Sequence, residues 1–447
     1  MKNMNFKSLK NLLLTFSILS VLIFASCGGS EDPGPGDQEP DNKPTSFLNI
    51  DPSVTYQTIS GFGGADGIFN GINLSDQEAQ LAFGTGEGEL GMSIFRVKLP
   101  YNSSDWPRIA ENALEAQQFD GVKILASPWS PPPALKSNND PVRGILSPEN
   151  YGAYVEHIND FIQFMSDGGV NLHSISIQNE PDWTPSYESC DWSPAQMTNF
   201  LRDHGDDIVG AKVAGPESLN FGQQFTNTIL NDEGAATSLD ILAGHIYGGG
   251  LAPFPLAEEK GKEIWMTEHL YNLGTGNASN PFDAWEALSD EEKWNETMQM
   301  LEDIHIAMTY NWNAYIWWYT KRYYSFIGDG TTDDAPTNTI LKRGYAFSHF
   351  SKFIRPNYVR IGSDFTSVRD LLITAYTRES ETVIVIVNNT DSSVPNIGLT
   401  ISDVAPESAI QYKTSLSQDV SKSELVLEND YLTFTVNSNS VSTIVIN

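Results

Sequence analysis

Basic residues are scarce in this chain. Its 447 residues include 26 Lys and Arg against 57 Asp and Glu, and the formal net charge is −31. A strongly negative protein is repelled by phosphate backbones, so the composition excludes a nucleic-acid partner. Binding of an acidic ligand must therefore depend on a local cluster of the few basic side chains.

Cysteine is scarcer still, with only Cys27 and Cys190 in the sequence. Cys27 follows residues 1–26, which combine a basic head, an apolar run and the small residues Ala-Ser, the plan of an export signal. This arrangement resembles a bacterial lipoprotein processing site, at which the signal peptide is removed and the cysteine carries lipid. Cys190 would then be the only other thiol, so no disulfide can form within one mature chain. The alternative is an ordinary cleaved signal peptide.

The lipoprotein interpretation predicts an exported protein that Cys27 anchors in the membrane of the cell envelope, facing either the periplasm or the outside. Residues 27–45 are rich in Pro, Gly and acidic side chains and contain almost nothing to bury, which predicts a flexible linker. We expect the anchored protein to be a monomer.

Short apolar strands alternate with amphipathic helical segments over residues 59–355. Capping boxes begin two of the helical segments, at Ser75 with Glu78 and at Ser289 with Glu292. The eight candidate strands are 61–67, 93–99, 122–129, 174–181, 212–217, 241–248, 263–269 and 314–320. Eight such units predict an α/β fold, a (β/α)8 TIM barrel, whose active site lies at the carboxyl ends of the strands.

The pattern changes near residue 355. Residues 356–447 show period-two strands separated by turn residues and no helical signal, which predicts an antiparallel β-sandwich side domain. Residues 46–58, SFLNIDPSVTYQT, also alternate and come before the barrel. We expect this segment to join the sandwich.

Two glutamates end buried strands of the predicted barrel. Glu180 closes SISIQNEP on the fourth strand, where Pro181 prevents the strand from continuing, and Glu268 closes EIWMTEH on the seventh. A retaining glycoside hydrolase needs such a pair, one acid that protonates the leaving oxygen and one carboxylate that attacks the anomeric carbon. By position Glu180 is the acid/base and Glu268 the nucleophile. The alternative for Glu180 is a surface Asn-Glu-Pro turn.

Further polar and aromatic residues fall at the same strand ends. Asn179 is placed to bond the sugar 2-hydroxyl, a contact that strengthens in the transition state. Flat aromatic faces bind sugar C–H surfaces; the candidates are Trp129, His245, Tyr247, Trp317, Trp318 and Tyr319. Each aromatic residue could instead be core. Neither a metal nor another cofactor is predicted, because no second histidine or cysteine has ligand spacing near His245.

The stretch WWYTKRYYSFIG places Lys321 and Arg322 at the end of the eighth strand, flanked by Trp318, Tyr323 and Tyr324. An arginine fork matches a carboxylate in two parallel hydrogen bonds. A basic pocket beside the two glutamates predicts an acidic sugar such as glucuronate. The alternative is a solvated loop in which the basic residues pair with Asp329 or Asp333.

These motifs together resemble a known family. In order along residues 50–447 they are GFGGADG, LGMSIFRVKL, SPWSPPPALK, SIQNEPDW, WMTEH and KRGYAFSHFSKFIRPNYVRI. They resemble glycoside hydrolase family 30, and within it the glucuronoxylanase branch, subfamily eight. The resemblance implies a retaining endo-xylanase that cleaves glucuronoxylan according to the position of a 4-O-methyl-glucuronosyl side group. It gives Glu180 the acid/base role and Glu268 the nucleophile role, and it matches Trp318, Arg322 and Tyr324 to the residues that hold the glucuronate.

The chain also departs from that branch. Leu270 and then Tyr271 stand where the branch reads tyrosine, no serine follows until Ser279, and Lys321 replaces a second arginine. The uronate pocket is therefore expected to be present but altered. The alternatives are another specificity of the family, such as a β-1,6-glucanase or a β-xylosidase, and a carbohydrate-binding surface protein with a decayed active site. Both glutamates are in place, which disfavours the binding protein.

A substitution of Cys27 tests the anchor. Cys27→Ser should release the protein from the membrane fraction, because a lipidated cysteine is the group that would hold it there. Fractionation of cells that express the wild type and the variant, followed by immunoblotting, measures the distribution. Unchanged membrane association of the variant would refute the lipoprotein interpretation.

Overall fold

A computed structural model gives the structure of the protein and describes residues 43–68, 73–271, 279–366, 371–403, 408–428 and 431–447. The strands of the central barrel are β2 (Gly61–Ala65), β3 (Ile94–Leu99), β4 (Lys123–Pro128), β5 (Leu172–Ser176), β6 (Lys212–Ser218), β7 (Ile241–His245), β8 (Glu263–Glu268) and β9 (Ala314–Trp317). The helices are α1 (Asp76–Phe83), α2 (Trp106–Gln117), α3 (Tyr151–Asp167), α4 (Pro194–His204), α5 (Gln223–Asn231), α6 (Glu233–Ser238), α7 (Pro255–Glu259), α8 (Pro281–Glu286), α9 (Asp290–Thr309) and α10 (Lys342–Ser351).

The eight barrel strands pair in parallel and in sequence order, and β9 pairs with β2 to close the ring. The prediction of a (β/α)8 barrel is confirmed. Side chains from six of the strands fill the inside of the barrel, namely Ile94, Leu125, Ala214, Ile241, Ala243, Trp265, Ala314 and Ile316. The inside is thus a packed core, which leaves the strand ends as the place for a site.

Local sequence signals explain where several elements begin. Both predicted capping boxes are present, with Ser75 capping α1 and Ser289 capping α9. In the first barrel strand, a Cβ at Gly63 would collide with the backbone of Ile94 in the neighbouring strand. The GFGG motif therefore allows two strands to approach closely at the start of the barrel.

Several predicted strands end earlier than expected, among them β5 and β9. β5 stops at Ser176, although the sequence predicts a strand to residue 181. Beyond it the chain makes single backbone bonds to both neighbours, from Asn179 N–H to Pro128 at 2.8 Å and from Glu180 N–H to Glu217 at 3.0 Å. The regular ladder ends because Glu180 takes a left-handed conformation, with φ of 47°. β9 likewise ends at Trp317, two residues before Tyr319, whose φ is 57°.

The side domain is built from β1 (Ser46–Thr58) and eight strands near the carboxyl end of the chain. The eight are β10 (Val359–Thr366), β11 (Leu372–Arg378), β12 (Glu381–Asn388), β13 (Val394–Ile401), β14 (Ala409–Ser415), β15 (Gln418–Glu428), β16 (Tyr431–Val436) and β17 (Ser440–Ile446). They form one closed ring in the order β1, β10, β11, β12, β17, β14, β15, β16, β13. All pairs are antiparallel except β1 with β13.

Helices α9 and α10 connect the barrel to the side domain. Trp294 of α9 donates its indole N–H to the Asn439 carbonyl at 3.1 Å. His349 of α10 is fully buried between the hydroxyls of Thr443 and Thr414, each at 2.8 Å. Buried polar contacts with both partners satisfied fix the orientation of the joined surfaces.

Among the described helices, none combines the length and the apolar character that a membrane crossing requires. Cys27 and the export segment lie outside the described residues.

Candidate active site

The structure brings the two predicted glutamates together at the carboxyl ends of the barrel strands. Glu180 follows β5 and Glu268 ends β8, and each side chain is buried with 6% exposure. One oxygen of each carboxylate and one nitrogen of His245 all lie within 4.8 Å of one another. Two carboxylates at this separation can act on the same bond of a substrate.

Arg96 of β3 connects most of the site. Its guanidinium is fully buried and donates to Glu268 Oε2 at 2.6 Å and to Asn179 Oδ1 at 2.6 Å. It also bonds the Ser127 hydroxyl at 3.1 Å and pairs with Glu217 Oε1 at 3.3 Å. One cation on β3 therefore fixes side chains at the ends of four other barrel strands, and it orients Asn179 through its amide oxygen.

Glu217 supplies a third carboxylate, fully buried at the end of β6. Burial opposes its ionisation, but the charges of Arg96 and His245 hold its pKa well below the usual range. Its φ of 52° is left-handed, as at Glu180. Two neighbouring strand ends thus carry backbone strain, which is concentrated at functional sites in proteins.

His245 is fully buried and lies between the carboxylates, so it does not present a face to a sugar. Its Nδ1 is 3.1 Å from Glu180 Oε1, and its Nε2 is 3.9 Å from Glu217 Oε1. Burial alone would lower its pKa, but the charge of Glu268, the hydrogen bond to Glu180 and the nearby Glu217 carboxylate raise the pKa to about 9. The imidazole is therefore a cation that faces the predicted acid/base.

Glu268 lies between two cations and a phenol. Burial raises its pKa, while the charges of His245 and Arg96 act in the opposite direction and favour the carboxylate. The Tyr247 hydroxyl donates to Glu268 Oε1 at 3.1 Å. With Arg96 on the other oxygen, both oxygens of Glu268 accept a hydrogen bond, which fixes the carboxylate in one orientation.

Glu180, His245 and Glu268 are also the one group of three potential metal ligands that the described residues bring together. Arg96 already supplies a positive charge at 2.6 Å from Glu268, so one of these three groups is paired with a cation of the protein itself.

The predicted aromatic residues divide into core and site. Trp129 is 2% exposed, with the Arg96 guanidinium 5.0 Å from its ring. Trp318 is partly exposed and lies 6.1 Å from Trp129. Trp317 is fully buried against Phe326 and belongs to the core. Trp129 therefore supports Arg96 from below, and Trp318 offers the more accessible ring.

The two adjacent basic residues of the loop after the eighth barrel strand have different surroundings. Lys321 is buried and bonds Glu78 Oε2 at 2.9 Å, so it is a structural ion pair and not part of an open basic pocket. The Arg322 side chain is 31% exposed and reaches Asp329 only at 3.5 Å. Of the basic pair predicted to bind an acid, Arg322 alone is accessible.

Tyr324 is near both Arg322 and Glu268. Its side chain is 7% exposed and packs against Tyr323 at 4.9 Å. Burial raises its pKa, the charge of Arg322 lowers it, and the charge of Glu268 raises it. The hydroxyl is thus within electrostatic reach of both groups, so the arginine lies at the edge of the same site.

Two central residues, Arg96 and Glu217, were not among the residues predicted from the sequence. Each had a signal: Arg96 is a charged residue inside the apolar strand SIFRVKL, and Glu217 ends a predicted strand in the same way as Glu180 and Glu268. A charge within a buried strand requires a partner of opposite charge. The sequence could not say which partner it meets.

Comparisons with known proteins agree with this geometry. Residues 92–332 match the family described as "Glycosyl hydrolase family 30 TIM-barrel domain". Glucuronoxylanase XynC of Bacillus subtilis (strain 168) is 32% identical over 451 residues, which cover 99% of this chain and 98% of the relative. The chain belongs to glycoside hydrolase family 30.

Solved structures of family 30 xylanases share the fold. Xyn30A of Clostridium acetobutylicum, a subfamily 8 xylanase, matches with a TM-score of 0.79 and 28% identity, covering 90% of this chain and 99% of that chain. A GH30 endoxylanase from Clostridium papyrosolvens C71 matches with a TM-score of 0.75 and 29% identity, covering 90% and 100%. The resemblance to the subfamily eight branch is confirmed, and this family 30 protein is a xylanase-like glycoside hydrolase.

The charge on His245 gives the hydrolase a defined pH dependence of stability. The pKa is about 9 in the folded protein and 6.5 for a free histidine, so the stabilisation is fully present below pH 6.5 and lost as pH rises through 9. His245→Gln removes the charge. We expect it to lower the melting temperature more at about pH 8 than at about pH 10.

His349 provides the matched control. Burial lowers its pKa to about 3, so the folded protein holds it neutral across the same range. His349→Gln should therefore lower the melting temperature by about the same amount at about pH 8 and at about pH 10. Thermal unfolding of the three proteins measures both effects. An equal loss for His245→Gln at both ends of the range would contradict a charged His245.

Proposed function

We propose that this protein is a retaining endo-hydrolase of β-1,4-xylosidic bonds in glucuronoxylan that recognises a (methyl)glucuronosyl side group. The observation that carries the proposal is the accessible Arg322 beside Tyr324, at the edge of a site that holds Glu180 and Glu268. In a chain of net charge −31, a partly exposed arginine side chain at this place favours an anionic substrate. The relatives that are named glucuronoxylanase or xylanase support the same substrate.

The geometry supports a double displacement. Glu268 would attack the anomeric carbon while Glu180 protonates the leaving oxygen, which gives a covalent glycosyl-enzyme. Glu180 would then take a proton from a water molecule that releases the sugar. An inverting enzyme needs carboxyl groups about 6.5–9.5 Å apart to admit that water from the start. Carboxylate oxygens within 4.8 Å of each other favour the retaining course.

The surrounding residues would prepare both glutamates for these roles. Arg96 and Tyr247 bond the two oxygens of Glu268, which aligns the nucleophile and favours its ionised form. His245 at 3.1 Å offers Glu180 a cation, which stabilises the carboxylate that forms once the proton has been given up. Because Asn179 Oδ1 accepts from Arg96, its amide nitrogen is the group left to bond the sugar 2-hydroxyl.

Arg322 would bind the uronate carboxylate, with Trp318 and Tyr324 against the sugar. Its contact with Asp329 is long, at 3.5 Å, so a substrate carboxylate can form a shorter and better aligned pair in its place. The buried Lys321 would contribute only by fixing the loop. Export and lipid attachment at Cys27 remain part of this proposal, since a polysaccharide substrate lies outside the cytoplasm.

The two carboxylates give the first test of the proposed mechanism. Glu268→Gln should remove the nucleophile and Glu180→Gln the acid, with a loss of at least ~1000-fold each on glucuronoxylan. Reducing-end assays measure the rate, and NMR of the first product should show the retained β configuration. Near-normal turnover in either variant, or an inverted product, would refute the assignment. Tyr56→Ala, at an exposed position of β1 in the side domain, serves as the control and should retain full activity.

Arg322 gives the test of substrate choice. Two charge-assisted hydrogen bonds in a partly desolvated site contribute roughly 2 to 4 kcal/mol, or about 30- to 1000-fold in kcat/KM. Arg322→Ala should reduce cleavage of glucuronoxylan by that order and leave the slow rate on undecorated xylo-oligosaccharides almost unchanged. Leu270 in place of tyrosine makes the lower end the expected result.

Two further variants sharpen that test. Arg322→Lys keeps the charge but loses the fork, so it should recover only part of the loss. Asp329→Asn removes the internal competitor and should not reduce uronate-dependent cleavage. Equal losses on decorated and undecorated substrates would make Arg322 structural, and no loss on either would indicate another specificity within family 30.

A further inference from the structure

Two exposed aromatic residues stand beside Glu180 without a role in the steps described so far. Trp183 and Tyr187 are 46% and 41% exposed, on the loop 181–193 between β5 and α4. Among the large hydrophobic side chains that are exposed in the described ranges, only one other is aromatic, Tyr56 of the side domain. Exposed aromatic residues are unfavourable in water, so their concentration at the barrel mouth indicates a surface that binds something.

The loop that carries them is held firmly to the barrel. Lys98 pairs with Glu188 at 2.6 Å, and Lys136 donates to the Ser189 carbonyl at 2.7 Å. Cys190 is fully buried beside them. Three anchors within three consecutive residues fix the base of the loop, so the exposed rings are presented by a rigid support.

Both residues lie next to the predicted acid/base. The Trp183 backbone N–H donates to the Glu180 carbonyl at 3.1 Å. Burial, followed by the charges of Glu180 and Glu268, raises the pKa of the Tyr187 hydroxyl. The phenol of Tyr187 is therefore within electrostatic reach of both glutamates, while 41% of its side chain remains exposed.

The barrel topology decides which part of a substrate meets these rings. Trp183 and Tyr187 follow the fourth barrel strand, whereas Arg322 follows the eighth, and these strands lie across the ring from each other. Glu180, on the fourth strand, would protonate the leaving oxygen, so the sugars beyond that oxygen extend toward its side of the mouth. The uronate-bearing part would lie on the opposite side, at Arg322.

We propose that Trp183 and Tyr187 form a platform for the sugar residues on the leaving-group side of the scissile bond. This assignment rests on the proposed function, since it takes Glu180 as the acid/base. Flat aromatic faces cover the C–H surfaces of β-linked pyranoses, and the phenol and indole tips bond hydroxyls. The platform makes the enzyme prefer long chains over substrates that end just past the cleaved bond.

Substrates that differ only on the leaving-group side test the platform. A glucuronoxylo-oligosaccharide series with one, two or three xylose residues beyond the cleaved bond is compared with a glycosyl fluoride of the same uronate-bearing part. For the wild type, kcat/KM should rise along the series. Trp183→Ala should remove most of that rise, a loss of about three- to tenfold on the longest member, and leave the fluoride unchanged because fluoride offers no sugar to stack.

Two further variants separate the ring from other effects. Tyr187→Phe keeps the ring and should retain the length dependence, whereas Tyr187→Ala should weaken it. Tyr56→Ala removes an exposed aromatic residue on β1 of the side domain. It should change kcat/KM neither for the fluoride nor for the oligosaccharides. A loss in Trp183→Ala that is equal on the fluoride and on every oligosaccharide would overturn the platform, as would an unchanged length dependence.

The test of the platform does not depend on which polysaccharide the enzyme cleaves. A wild type that fails to cleave glucuronoxylan refutes the proposed function, and the length series is then repeated with oligosaccharides of the β-linked polysaccharide that it does cleave. Loss of length dependence in Trp183→Ala on that series would still support the platform. Retained length dependence there would refute it.

Discussion

Arg96 lies fully buried in the middle of β3 and pairs with Glu217 and Glu268 while it bonds Asn179. Three buried carboxylates, those of Glu180, Glu217 and Glu268, meet only two cations, Arg96 and the protonated His245. Each buried charge is costly to remove from water, so the cluster is stable only as a complete network. Loss of the guanidinium would leave carboxylates without a partner, and Glu268 would lose the hydrogen bond that orients it and the charge that favours its ionised form.

The barrel makes this network possible because it brings the ends of its eight strands into one ring. Residues far apart in sequence, from β3 to β8, meet at bond distance only after β9 pairs with β2 and closes the sheet. At Glu180 and Glu217 the chain leaves the regular strand in a left-handed conformation. That strain is tolerated because the backbone N–H of Glu180 is held by the Glu217 carbonyl and the side chains are held by cations.

Several of the scarce basic residues form buried ion pairs. Lys321 pairs with Glu78 and Lys98 pairs with Glu188, and both pairs fix loops around the mouth. Arg96 pairs with Glu268. Arg322 keeps an accessible guanidinium, and in a strongly acidic protein such a group dominates the local potential. Substrate choice in this family 30 hydrolase would therefore depend on one side chain at the mouth, opposite the exposed rings of Trp183 and Tyr187.

The sequence by itself determined the barrel, the β-rich side domain and the two glutamates, because strand period, capping boxes and strand-ending motifs are local signals. It also pointed to Asn179, Tyr247 and the aromatic stretch around Trp318. Only the tertiary structure decided that Lys321 turns inward to Glu78, that His245 serves Glu180 rather than a sugar face, and that Arg96 and Glu217 complete the site. Those outcomes depend on which strands become neighbours when the ring closes, and on which charge each buried side chain then faces. Neither is encoded in any one segment of the chain.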